Sequence, residues 1–115
     1  MIPTLPFGRT GHESTRTIFG AAAFWETPQK DVDAIMDMIL QNGINHVDTA
    51  ASYGKAEQVL GDWIRRNGKP FFLATKTDQR TKRSAYDQIR RSLDLLHVPQ
   101  VDMIQIHALH EEPDW

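Results

Sequence analysis

Strand-like and helix-like segments alternate along this chain with a regularity that few folds can accommodate. Four short apolar runs read as strands: one near residues 17–22 within IFGAAAF, then Ile44–Val47, PFFLAT at 70–75 and VDMIQI at 101–106. Between them, apolar residues recur at the spacing of a single helical face. Val32, Ile35, Met36, Ile39 and Leu40 mark the first helix. Ala56, Val59, Leu60, Trp63 and Ile64 mark a second over residues 55–66, and Tyr86, Ile89, Leu93 and Leu96 a third over 83–97. Thr27 is the expected N-cap of the first helix, with Pro28 at its first position and Gly43 as its stop. Ahead of all this, residues 3–7 and 14–17 flank the turn GRTG and predict a short β-hairpin.

The order is therefore β-α-β-α-β-α-β. Strands that mostly lack polar alternation belong to parallel sheets covered by helices, so the expected class is α/β. An open doubly wound sheet and a (β/α)₈ barrel both begin this way. Local periodicity does not choose between them.

Polar residues recur with the same period. Gly20, Asp48, Lys76 and His107 each fall at or near the carboxyl end of a predicted strand, one per βα unit. In parallel α/β folds the loops leaving that end converge on the functional site. Asp48, Lys76 and His107 are thus expected to share one crevice, with Tyr53 five residues beyond Asp48. A phenol titrates near ~10, and a neighbouring ammonium favours its phenolate form. Lys76 suits that part, Asp48 would hold and balance Lys76, and His107 would orient a substrate oxygen. Such a set suits protonation of a carbonyl oxygen while hydride arrives at its carbon. Taken singly, each residue has an ordinary structural reading: a turn cap, a packed ring, a solvated charge, a hydrogen-bonded imidazole. Their joint placement is what argues for a site.

Other chemistries find little support. Acidic and basic residues are mixed along the chain, with a net charge of −2, so no basic block suggests nucleic acid and no cationic amphipathic helix suggests a membrane surface. Cysteine is absent, which excludes disulfides and thiolate metal sites. His107 and His110 lie three apart without the further ligands a zinc site needs, and no metal site is expected. His12, His46, His97 and His110 are read as structural. Trp63 fits the helical stripe and reads as core, while Phe24 and Trp25 suit either core or an apolar pocket wall. GRTG lacks a phosphate-loop pattern. The opening MIPTLPFGRTGHE has no apolar signal region and no stretch reaches transmembrane length, so a cytoplasmic protein is expected.

The motifs GINHVDTAASYGKAEQVLG, LATK and IRRSLDLLHVPQVDMIQIH, together with GRTG and IFGAAAF, resemble the aldo-keto reductase family in order and spacing across essentially all 115 residues. The resemblance implies a (β/α)₈ TIM barrel, NADPH as hydride donor and reduction of an aldehyde or ketone to an alcohol. It implies Tyr53 as general acid, Lys76 and Asp48 as its tuning pair and His107 as the group orienting the carbonyl. It also places Gly20 and Ala21 beside the nicotinamide end of the cofactor site, with Asp48, Tyr53 and Lys76. At Ala21 the family often carries threonine, so the resemblance does not imply a polar side-chain contact with the cofactor there.

A barrel of this kind takes about 250 residues or more. The expectation is a single incomplete domain over residues 1–115: the N-terminal half-barrel, four parallel strands alternating with helices after a short hairpin. The resemblance puts most cofactor contacts in segments that these residues do not contain, so little turnover is expected from them alone. Strands one and four would be open edges, and self-association through them is expected. The alternative to a small-molecule carbonyl reductase is a non-catalytic module, either cofactor-sensing or a self-assembling half-barrel.

Overall fold

The computed structural model describes residues 1–110. Strands β1 (Thr4–Pro6) and β2 (Glu13–Thr15) pair antiparallel, Thr4 opposite Thr15, around the expected turn. Asn45 fastens this hairpin to the body. Its side-chain oxygen accepts from the Thr15 N–H at 2.9 Å, and its amide donates to the Glu13 carbonyl at 2.9 Å.

The main sheet contains β3 (Phe19–Gly20), β4 (His46–Asp48), β5 (Phe72–Thr77) and β6 (Met103–Ile106). All neighbours are parallel and the spatial order is β3-β4-β5-β6. Helices α1 (Gln29–Gln41), α2 (Ala56–Asn67) and α3 (Lys82–Leu96) join successive strands. Each crossover steps one strand along in the same direction. A doubly wound sheet reverses its strand order at a switch point, and none occurs here among the described residues. The progression is that of a (β/α) barrel.

Side-chain alternation splits the strands between two environments. Val47 and Leu73 point to the helices and join Val32, Met36, Leu60, Trp63, Ile64 and Leu96 in the core. His46 and Phe72 point the other way, where Phe7 and His12 of the hairpin pack on them. The hairpin thus covers the amino ends of the strands and leaves the carboxyl ends clear. Trp63 is buried, as its stripe predicts.

Three local expectations are corrected. The first strand is only two residues long, because Ala21–Phe24 form a 3₁₀ turn. Ala21 and Phe24 are both fully buried, and a three-residue turn puts positions three apart on one side. Thr27 does not cap α1. Its hydroxyl donates to the Ala23 carbonyl at 2.9 Å, and the cap is Pro28, whose carbonyl accepts from Asp31 and Val32. Finally, β6 alternates: Ile104 and Ile106 are 42% and 56% exposed, because no helix among the described residues covers their side. No helix there is long and apolar enough to cross a membrane.

Candidate active site

The ladder brings the strand ends into line. Gly20 is opposite Asp48, Asp48 is opposite Ala74, and Lys76 is opposite Gln105. The His107 N–H extends the β5–β6 ladder to the Thr77 carbonyl at 2.8 Å. Gly20, Asp48, Lys76 and His107 therefore share one rim of the sheet.

Tyr53 reaches that rim through the loop between β4 and α2. The Thr49 and Ala51 N–H groups donate to the Ala74 and Lys76 carbonyls at 2.9 and 3.1 Å, carrying the chain along β5. The Ala56 N–H then donates to the Tyr53 carbonyl at 2.9 Å and starts α2. Gly54 allows the reversal: its φ is +55°, and a Cβ there would lie 2.7 Å from both Trp25 Cδ1 and the Trp25 carbonyl oxygen. The Lys55 N–H donates to that same carbonyl at 3.0 Å. Phe24 is thus core, whereas the half-exposed Trp25 braces the Tyr53 loop.

Lys76 is the hub. Its ammonium donates to Asp48 Oδ2 at 2.6 Å, to the Thr49 carbonyl at 2.8 Å and to Tyr53 Oη at 3.3 Å. An ammonium has three N–H hydrogens, so all are engaged. Because the phenol oxygen accepts from Lys76, its own hydrogen is left to point elsewhere. The Lys76 side chain is only 12% exposed and that of Asp48 28%, so the ion pair is partly screened from water. The His107 ring stands edge-on to the Tyr53 ring, with centroids 5.6 Å apart and planes at 86°. All four predicted side chains lie together.

Gly20 and Ala21 separate. Gly20 is at the rim, and a Cβ there would meet nothing within 4 Å, whereas the Ala21 side chain is buried in the core. A cleft of about 350 Å³ runs past Gly20, Asp48 and Gln105, whose Oε1 is buried without a hydrogen-bond partner.

Two features escaped the sequence reading. Glu57, in the first turn of α2, is 3% exposed and accepts from Thr75 Oγ1 at 2.7 Å and Ser92 Oγ at 3.0 Å. Burial pushes its carboxyl up from the ordinary range, opposed by those two hydroxyls. This network ties α2 and α3 to β5 directly behind Lys76. A glutamate on an otherwise apolar helical face was its available signal. The second is Ser52, whose Oγ lies 3.1 Å from His107 Nδ1. Only its adjacency to Tyr53 hinted at it.

The family model for the aldo/keto reductase family matches residues 16–114. The chain is 31% identical to the uncharacterized oxidoreductase YrpG of Bacillus subtilis, over 94% of this chain and 40% of that protein. It is 35% identical to an aldo-keto reductase of Mycolicibacterium smegmatis, over 72% of this chain and 32% of that one. Among solved structures, aldo-keto reductase AKR11C1 from Bacillus halodurans in its holo form superposes with a TM-score of 0.79 at 23% identity, over 92% of this chain and 40% of that chain. A thermostable aldo-keto reductase, Tm1743, solved with the inhibitor epalrestat, gives 0.79 at 24% identity, over 95% and 44%. The chain spans less than half the length of these relatives. Its sheet is correspondingly half of a (β/α)₈ TIM barrel. With that strand order, that rim and these matches, the chain belongs to the aldo/keto reductase family.

Proposed function

We propose that this chain carries the proton-transfer centre of an NADPH-dependent carbonyl reductase that converts small aldehydes or ketones to alcohols. The observation that carries the reading is the single ammonium of Lys76 held between Asp48 Oδ2 at 2.6 Å and Tyr53 Oη at 3.3 Å. Carbonyl reduction needs a hydride at carbon and a proton at oxygen. NADPH, when bound, supplies the hydride. Tyr53 donates the proton from Oη, and the Lys76 ammonium behind it stabilises the phenolate left by that transfer. Asp48 fixes Lys76 and balances its charge. His107 gives the carbonyl oxygen a second hydrogen bond and sets its orientation.

The residues present fit the nicotinamide end of such a cofactor. Gly20 leaves open space beside Asp48, and the unpartnered Gln105 Oε1 offers an acceptor to an amide N–H. Gly20, the peptide of Ala21, Asp48, Tyr53 and Lys76 would hold that end. The test is NADPH consumption with a reactive aldehyde, comparing the chain with Tyr53→Phe. Loss of one positioned proton donor is expected to slow turnover by roughly 10²-fold or more. Measurable and equal rates in the two proteins would remove Tyr53 from the role.

A second reading, a non-catalytic module that completes its barrel by self-association, is favoured by the sheet's two end strands and the exposed Ile104 and Ile106. It predicts no consumption of NADPH by either protein.

A further inference from the structure

We infer that Ser52 is a positioning residue for His107: its hydroxyl donates to Nδ1 and so holds the imidazole with its proton on Nε2. The inference rests on the carbonyl-reductase reading for its purpose, although its geometry stands apart from it.

The observation is the 3.1 Å separation of Ser52 Oγ and His107 Nδ1, 55 positions apart in the chain. A neutral imidazole has one N–H donor and one bare acceptor, and the partner of one nitrogen decides the state of the other. If Nδ1–H donated to Ser52, Nε2 would be a bare lone pair. A carbonyl oxygen, itself an acceptor, would be repelled there. If Ser52 donates instead, Nε2 carries the hydrogen and presents a donor. His107 Nε2 has no partner among the described residues and is available to a ligand. Ser52 likewise has no other acceptor there for its one hydroxyl hydrogen. Donation to Nδ1 satisfies both groups at once.

The ring is held for this contact from several directions. The His107 N–H is engaged by Thr77 at 2.8 Å, and its carbonyl accepts from Arg80. The Tyr53 ring stands against the imidazole at 86°. Turning the ring over would set a carbon against the Ser52 hydroxyl and leave it unpaired. Since Ser52 and Tyr53 are consecutive, one loop places both hydrogen-bond donors: the phenol directly, and the imidazole through its tautomer. A displacement of that loop would disturb both together.

The test is long-range proton–nitrogen correlation NMR of the ¹⁵N-histidine-labelled chain at neutral pH, with the His107 signals assigned through His107→Gln. The parent is expected to show a protonated Nε2 and a bare Nδ1. In Ser52→Ala both ring nitrogens should move toward tautomer-averaged shifts, while the signals of buried His46 stay in place. Ser52→Thr, which keeps the hydroxyl, should restore the parent pattern. A parent ring protonated on Nδ1 alone, or on both nitrogens, overturns the inference, as do unchanged shifts in Ser52→Ala. The parent spectrum decides even if the alanine variant does not fold. No turnover is measured, so failure of the reductase reading is seen separately, in the NADPH assay.

Discussion

At the scale of single residues, burial and hydrogen-bond accounting govern what each polar group does. Lys76 commits all three ammonium hydrogens, to Asp48, to the Thr49 carbonyl and to the Tyr53 phenol oxygen. His46 lies at the opposite end of the strands and shows the cost of a buried base. It is 1% exposed, with Nδ1 2.9 Å from Ser14 Oγ and its ring against Phe7 and Phe72. Burial, reinforced by neighbouring His12, holds its pKa below the ordinary 6.5. The unfolded chain therefore takes up a proton more readily than the folded one. This contribution to stability is complete above about pH 6.5 and is lost as pH falls through the window below it. Denaturant midpoints should drop on going from about pH 7 to about pH 5, and drop less in His46→Gln, which keeps a polar partner for Ser14 but cannot titrate. The same pH slope in both proteins would show that His46 is not the group responsible.

Among the elements, α2 links the site to the rest of the molecule. It follows the Tyr53 loop, carries Glu57 behind Lys76 and meets α3 at closest approach through Gly61. A Cβ on Gly61 would sit 1.8 Å from the Leu95 carbonyl oxygen. In an exposed helix, Gly→Ala gains about 1 kcal/mol of propensity. Here the helices would have to separate, and overpacking of that kind costs roughly 1–3 kcal/mol. Gly61→Ala is expected to lower the denaturant midpoint, and a neutral or raised midpoint would mean that the contact yields easily. The helical stripes were legible in sequence because apolar periodicity is local: Val32, Met36, Leu60, Trp63 and Ile64 are all buried. The helix starts were not. Thr27 is an acceptable cap by type, but the preceding 3₁₀ turn engages its hydroxyl, and nothing in residues 27–31 reveals that turn.

For the whole molecule, the four parallel strands have β3 and β6 as edges that no other strand covers among the described residues. Ile104 and Ile106 bring apolar side chains to the surface along β6. If the chain self-associates through these edges, sedimentation at micromolar concentration should show species heavier than the 13.1 kDa monomer. Ile106→Lys should shift them toward monomer, because a charge on an edge opposes pairing. A compact monomer at every concentration would count against the edges as association surfaces. The alternation of elements, their buried stripes and the polar residues at or near the ends of β4, β5 and β6 were all determined by the sequence, because each depends on spacing within a few residues. Whether the strands advanced in one direction or doubled back was decided only by tertiary structure. So were the turn of the Tyr53 loop onto Lys76, the burial of Glu57 and the pairing of Ser52 with His107. Those outcomes depend on which distant segments hydrogen-bond to one another, and short-range periodicity carries no record of that.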